Sequence, residues 1–237
     1  YTAGTKGVQR GHAVKEPKTR AEFERMKGTL KGAWVLIGGE NSGWPIDYSA
    51  EGDSLRAKMI AENVKIEQEN REIREYNRNL KNNPPKTKKG QPAPEPKKLK
   101  EMKYTPALFY REMVDAGILG IIQSSSVPIR ALYDRKNCMK MTWETLPTIP
   151  DIKLDANQYK EIAQMVDRME YFQLEFDIRN HFKMGPVKFH NIIGVMKGTE
   201  YPDEYVLCGG HLDAFDVATG GVDCGGGVAP AMEGARM

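Results

Sequence analysis

Thr105-Pro106-Ala107-Leu108-Phe109-Tyr110-Arg111-Glu112-Met113-Val114-Asp115-Ala116-Gly117-Ile118-Leu119-Gly120-Ile121-Ile122 is the stretch on which the fold class turns. Threonine is a good N-cap and proline is favoured at the first helical position, so the spacing predicts a helix from Pro106 that stops near Gly117. Ile118 to Ile122 is a short apolar run of the kind that fills a buried strand. A helix that feeds such a strand points to an α/β (α+β) architecture.

The same grammar extends in both directions. Upstream, Ala33-Trp34-Val35-Leu36-Ile37 is another short apolar run, closed by Gly38-Gly39, and reads as a buried strand. Downstream, Asp155 and Gln158 form a capping-box pair opening a helix to about Met169. After it, Phe172, Leu174, Phe176 and Ile178 alternate with Gln173, Glu175, Asp177 and Arg179, the period of a half-buried strand. Gly185-Pro186 breaks the chain. Two further strands are expected near Asn191–Met196 and Tyr205–Cys208, joined by a turn containing Gly198 and Pro202. No internal repeat is present.

Asp53 to Asn82 differs in character: highly charged, free of proline and glycine, and rich in helix formers. Met59, Ile66, Ile73 and Leu80 recur every seven residues, with Asn63, Asn70 and Asn77 four positions after the first three. The pattern admits two readings. The seam pairs with another helix, in cis or by self-association through 53–82, or a long surface helix docks by a thin apolar stripe. Residues 83–100 follow, with Pro84, Pro85, Pro92, Pro94 and Pro96 among lysines, a semi-rigid solvated connector.

Bulk properties narrow the function classes. Hydrophobic residues make up 40% of the 237 and charged residues 28%, with a net charge of +3. That bias is too weak, and its lysines too dispersed, for a nucleic-acid partner. No apolar run approaches the ~18 residues of a membrane span. Cys138, Cys208 and Cys224 are odd in number and contain no CxxC pair, so they supply no disulfide framework. The start at Tyr1, without methionine or a signal-peptide pattern, reads as a processed or engineered boundary.

Chemistry concentrates after residue 204. The expected strand Tyr205–Cys208 runs into Gly209-Gly210-His211-Leu212-Asp213, and functional groups in open α/β sheets gather where strands end. A neutral imidazole binds zinc, and a carboxylate two residues on can fix its tautomer. Asp223 lies twelve residues after His211 and is followed by Cys224-Gly225-Gly226-Gly227 and an alanine-rich run, a loop delivering a carboxylate and then entering a helix. By spacing alone, a His-x-Asp pair also suits an ordinary polar cluster. A phosphate cradle at the triple glycine lacks the Gly-Lys-Ser/Thr ending of a P-loop.

These residues carry a specific resemblance. Asn191-Ile192-Ile193-Gly194 through Pro202-Asp203-Glu204, then Gly210-His211-Leu212-Asp213-Ala214-Phe215-Asp216-Val217, then Gly220 to Gly227, are similar to metallopeptidase family twenty-eight, in its plasma glutamate carboxypeptidase-like and bacterial aminopeptidase branch. The resemblance implies a peptide substrate, two zinc ions with a bridging water, and a secreted or periplasmic setting. By position it implies His211 as ligand to one zinc, Asp223 as bridging ligand, and Asp213 as the orienter of His211. Many members carry a second aspartate where this chain has Cys224. Upstream, the Trp34–Ile37 strand, the Pro106–Ala116 helix, the Ile118–Ile122 strand and the Leu146-Pro147 turn resemble a protease-associated domain.

The organisation implied is a protease-associated-like domain over 1–186, interrupted by a helical and Pro-rich insertion at 53–100, then the first strands of a zinc-exopeptidase sheet over 187–237. In the family, the general base and remaining ligands follow the helix that begins after the bridging aspartate. Glu233 lies too early for that base and reads as surface. His12, His181 and His190 match no ligand position. The expectation is therefore a zinc exopeptidase segment, amino- or carboxypeptidase, inactive by itself and, with two of about five family ligands, not expected to hold zinc stably. The competing reading is a non-catalytic, transferrin-receptor-like relative or an interaction module.

Overall fold

β1 (Gln9–Lys15), α1 (Arg20–Leu30) and β2 (Ala33–Leu36) open the chain as a β-α-β unit with the two strands parallel. Thr19 caps α1, its hydroxyl accepting from the Glu22 amide at 3.1 Å. The long helix α2 (Ala50–Asn82) and the short helix α3 (Tyr110–Asp115) follow, leading to β3 (Gly120–Ser125). Then come β4 (Asp151–Asp155), α4 (Ala156–Asp167), β5 (Leu174–Phe176) and, after a long irregular stretch, α5 (Gly225–Arg236). The structure, a computed structural model, describes residues 2–38, 46, 49–83, 94–125, 142–183, 185–214 and 218–237. The chain divides into two compact units, Tyr1–Met184 and Gly185–Met237.

In the first unit the strands make one five-stranded sheet, ordered β4-β3-β2-β1-β5, with β5 antiparallel to β1 and the other pairings parallel. The pleat sends neighbouring residues to opposite faces. Val35 and Ile121 join Phe23 and Leu30 of α1 and Tyr110 and Met113 of α3 in one cluster. Trp34, Leu36 and Ile122 face the other way, with Tyr159, Ile162 and Val166 of α4 packed on them. Covering both faces is what a parallel sheet requires, and the near-continuous apolar character of 33–37 and 118–122 is its signature. Gly120 is needed for this packing: a Cβ there would lie 2.7 Å from the Trp34 ring and 2.7 Å from the Pro150 carbonyl.

The helix expected from Pro106 begins instead at Tyr110. Ala107 adopts φ +53°, outside the helical region, and gives its amide to the Glu16 carboxylate at 2.9 Å. A tertiary bond thus outweighs the N-terminal signal of Thr105-Pro106. The helix ends as expected, with Gly117 at φ +86° and its amide bonded to the Val114 carbonyl at 2.9 Å. β3 is displaced from the expected 118–122 toward its C-terminus, because its ladder to β4 pairs Ile121 to Ser125 with Asp151 to Asp155. Gln123, Ser124 and Ser125 are consequently buried despite their polarity.

The heptad of α2 docks in part by its apolar stripe, through Met59, but its asparagines are used in a way that neither sequence reading described. Its asparagines bind an extended segment of the same chain running back along the helix. Asn63, Asn70 and Asn77 donate from Nδ2 to the carbonyls of Lys103, Lys100 and Lys97 at 2.6, 2.9 and 2.8 Å. Each Oδ1 accepts the amide of the same lysine, at 2.8, 2.7 and 2.8 Å. Seven helical residues rise about 10.5 Å, close to the ~10 Å of three extended residues, so the two periods stay in step. Met59 and Ile60, near the start of α2, pack against the first core cluster. The expected connector over 83–100 lies outside the described residues from 84 to 93; its remainder from 94 is irregular and exposed.

The second unit is described by α5 and the irregular chain before it. The strands expected at 191–196 and 205–208 are absent there: neither stretch has a ladder partner among the described residues. Val206 is 99% and Leu207 90% exposed. A strand needs a neighbour to satisfy its amides and carbonyls, and apolar content does not substitute for one.

Candidate metal centre

Two segments of the second unit form the site. Residues 209–214 approach the first turn of α5 closely enough that a Cβ on Gly210 would lie 3.0 Å from the Val228 amide nitrogen. Asp223 and Cys224 enter that turn, where the Cys224 carbonyl accepts from the amides of Gly227 and Val228 at 2.8 and 3.0 Å. Gly220, at φ +70°, turns the preceding loop, and its carbonyl accepts the Gly225 amide at 2.9 Å. The loop residues Phe215, Asp216 and Val217 lie outside the described residues.

His211 stands between two carboxylates. Its Nδ1 lies 3.0 Å from Asp213 Oδ1, and its Nε2 lies 2.8 Å from Asp223 Oδ1. The Asp213 backbone carbonyl is also near Nδ1, at 3.1 Å. Both ring nitrogens thus face acceptors, an arrangement fully satisfied only by the imidazolium. The hydrogen bond to Asp223 is the main cause that pushes the His211 pKa above its ordinary value, with Asp213 adding to it. The group is open to solvent, with the His211 side chain 50% exposed.

An imidazole with one nitrogen on a carboxylate and the other beside a second carboxylate matches a ligand with its orienting partner. Nδ1–H donating to Asp213 would leave the Nε2 lone pair toward Asp223, where a cation could replace the shared proton. Among the described residues, His211, Asp223 and Cys224 have ligand atoms all within 4.8 Å of one another. Nitrogen, carboxylate oxygen and sulfur are the donors zinc takes, so this set fits the ion. Sequence reasoning treated Cys224 only as a changed neighbour of Asp223. The signal for more was its adjacency to Asp223 at the mouth of a helix.

The other candidates fall elsewhere. Glu233 pairs with Arg236 on α5, at 2.8 and 2.6 Å. His12, in the first unit, bonds the Thr29 carbonyl at 2.8 Å through Nε2. His181 and His190 are exposed.

Comparison with known proteins gives a consistent direction. Residues 191–237 match the family model described as Peptidase family M28. Carboxypeptidase Q of Rattus norvegicus is 29% identical over 133 residues, 52% of this chain and 27% of that protein. Carboxypeptidase Q of Xenopus laevis is 31% identical over 121 residues, 48% of this chain and 24% of the relative. The human protein of that name is 29% identical over 133 residues. The matched segment therefore spans about a quarter of the length of these curated relatives. No solved structure matches.

Proposed function

We propose, on the match of residues 191–237 to the model of Peptidase family M28, that the chain carries a metal-binding segment of a secreted zinc exopeptidase that removes terminal residues from peptides. The observation that carries this reading is His211 held between Asp213 and Asp223. His211 Nε2 and an Asp223 carboxylate oxygen would hold zinc. Zinc held there would supply Lewis-acid chemistry, polarising a scissile carbonyl and lowering the pKa of bound water. Asp213 acts on the imidazole alone: it accepts a hydrogen bond from Nδ1–H and keeps the Nε2 lone pair turned toward Asp223.

Among the described residues, no glutamate joins His211, Asp223 and Cys224 in the ligand cluster. General-base proton transfer needs a carboxylate within hydrogen-bond reach of the water. We infer that a polypeptide of these 237 residues does not by itself hydrolyse amino-acid p-nitroanilides or dipeptides with added zinc, and robust turnover would contradict that. The first unit, with a five-stranded sheet covered on both faces, is proposed as the protease-associated-like part.

Equilibrium dialysis against zinc tests the ligand assignment. The 237-residue chain should retain zinc, whereas H211A and D223A should lose it. D213N, which keeps the hydrogen-bonding shape but weakens the orientation, should cost roughly 10- to 100-fold in affinity. Equal retention by the parent chain and H211A would dispose of the reading.

A further inference from the structure

We propose that Cys224 is a third metal ligand, so that His211, Asp223 and Cys224 form a nitrogen–oxygen–sulfur site selective for thiophilic divalent ions such as zinc and cadmium. The proposal rests on the reading of His211 and Asp223 as ligands and adds to it the thiol and the metal preference that follows.

Three observations support it. The donor atoms of the three residues lie within 4.8 Å of one another. Bond lengths of about 2.0–2.3 Å set donors on one tetrahedral ion ~3–4 Å apart, so closing the set requires movements of roughly 1 Å by side chains at the surface. The thiol also occupies a space made for it. Gly227 has no side chain where a Cβ would stand only 2.6 Å from Cys224 Sγ. The Cys224 carbonyl is tied to the amides of Gly227 and Val228, which fixes the backbone from which the thiol projects.

Three protein ligands with an open fourth position are the usual form of a catalytic zinc site. A carboxylate at position 224 would offer a hard oxygen, whereas cysteine offers a soft sulfur. The exchange therefore raises affinity for zinc and cadmium relative to magnesium, calcium or manganese. On binding, the metal takes the place of the proton between His211 and Asp223, and the thiol proton leaves to solvent. Cys208, the other cysteine of this unit, has its Sγ 3.9 Å from the Ala231 carbonyl and does not belong to the cluster.

Cobalt(II), a spectroscopic stand-in for zinc, tests this in the reduced 237-residue chain. Titration is expected to develop a near-ultraviolet thiolate-to-cobalt charge-transfer band that saturates at one ion per chain. C224S should lose the band and bind cobalt roughly tenfold or more weakly. C208S and C138S should keep it, and G227A, which crowds the thiol, should diminish it. Cobalt bound by the parent chain without the band overturns thiol ligation and leaves the His211–Asp223 reading standing. A band that survives in C224S overturns the assignment to Cys224. No cobalt binding by the parent chain overturns both readings together.

Discussion

Glu16 shows how much a single buried carboxyl group can organise. It is 5% exposed and sits just past the end of β1. Its Oε1 accepts from the Tyr104 hydroxyl at 2.6 Å and the Gly38 amide at 2.8 Å, while Oε2 accepts from the Ala107 amide. One side chain thereby ties the C-terminal ends of β1 and β2 to the segment that precedes α3. E16A would strand the Gly38 and Ala107 amides, while the Tyr104 hydroxyl keeps the Gly38 carbonyl at 3.2 Å, and a cost of about 2–4 kcal/mol is expected in chemical denaturation. E16Q keeps one acceptor but turns an NH2 group toward a donor, for roughly 1–3 kcal/mol. Burial, the largest cause, raises the Glu16 pKa despite the opposing hydrogen bonds. A raised folded value means that protonation favours the fold: this contribution is fully present below the unfolded value and is lost as pH rises through the folded one. Relative to E16Q, the parent chain should gain stability as pH falls from neutrality toward 4.5. A flat difference across that range would contradict the sign.

At the scale of elements, the asparagine ladder of α2 turns a helix face into a template for an extended chain. Asn63 and Asn70 are buried, whereas Asn77 is more open. N70A removes both bonds to Lys100 and is expected to loosen the 97–103 segment by about 1–3 kcal/mol locally. Hydrogen exchange should show faster exchange of the Lys100 amide and its neighbours while the sheet core is unchanged. N70D retains the acceptor for the Lys100 amide but turns a carboxylate toward its carbonyl, so it should also destabilise the segment. Unaltered exchange in both variants would show that the ladder does not hold the segment. The heptad was legible in the sequence, since seven-residue spacing is a property of order alone. Its occupant was not, because asparagine at a seam offers the same amide to a helix or to an extended backbone.

For the whole molecule, the two units have unequal means of support. Both apolar clusters lie within residues 1–184, where strands and helices cover one another. The described irregular chain of 185–224 carries no ladder, and Ile192, Val206 and Leu207 are all well exposed. Residues 1–184 expressed alone are therefore expected to keep a cooperative thermal transition within a few degrees of that of the whole chain. A non-cooperative melt would mean that 185–237 contributes to the core.

The α/β class, the helix ending at Gly117, the long charged helix and the His211–Asp213–Asp223 spacing were decided by local order: capping chemistry, period and motif need only a few neighbouring residues. β1 was missed because Gln9–Lys15 is mostly polar, and its place inside the sheet depends on β2 and β5 at its sides. Tertiary structure also decided where α3 begins, through Ala107 and Glu16, and which polar residues β3 buries. It left the apolar runs 191–196 and 205–208 without strand structure, although order alone favoured it. At the candidate site it set Cys224 beside His211 and Asp223. In each case the deciding term was a contact between residues far apart in the chain, or the lack of one, which periodicity and propensity do not encode.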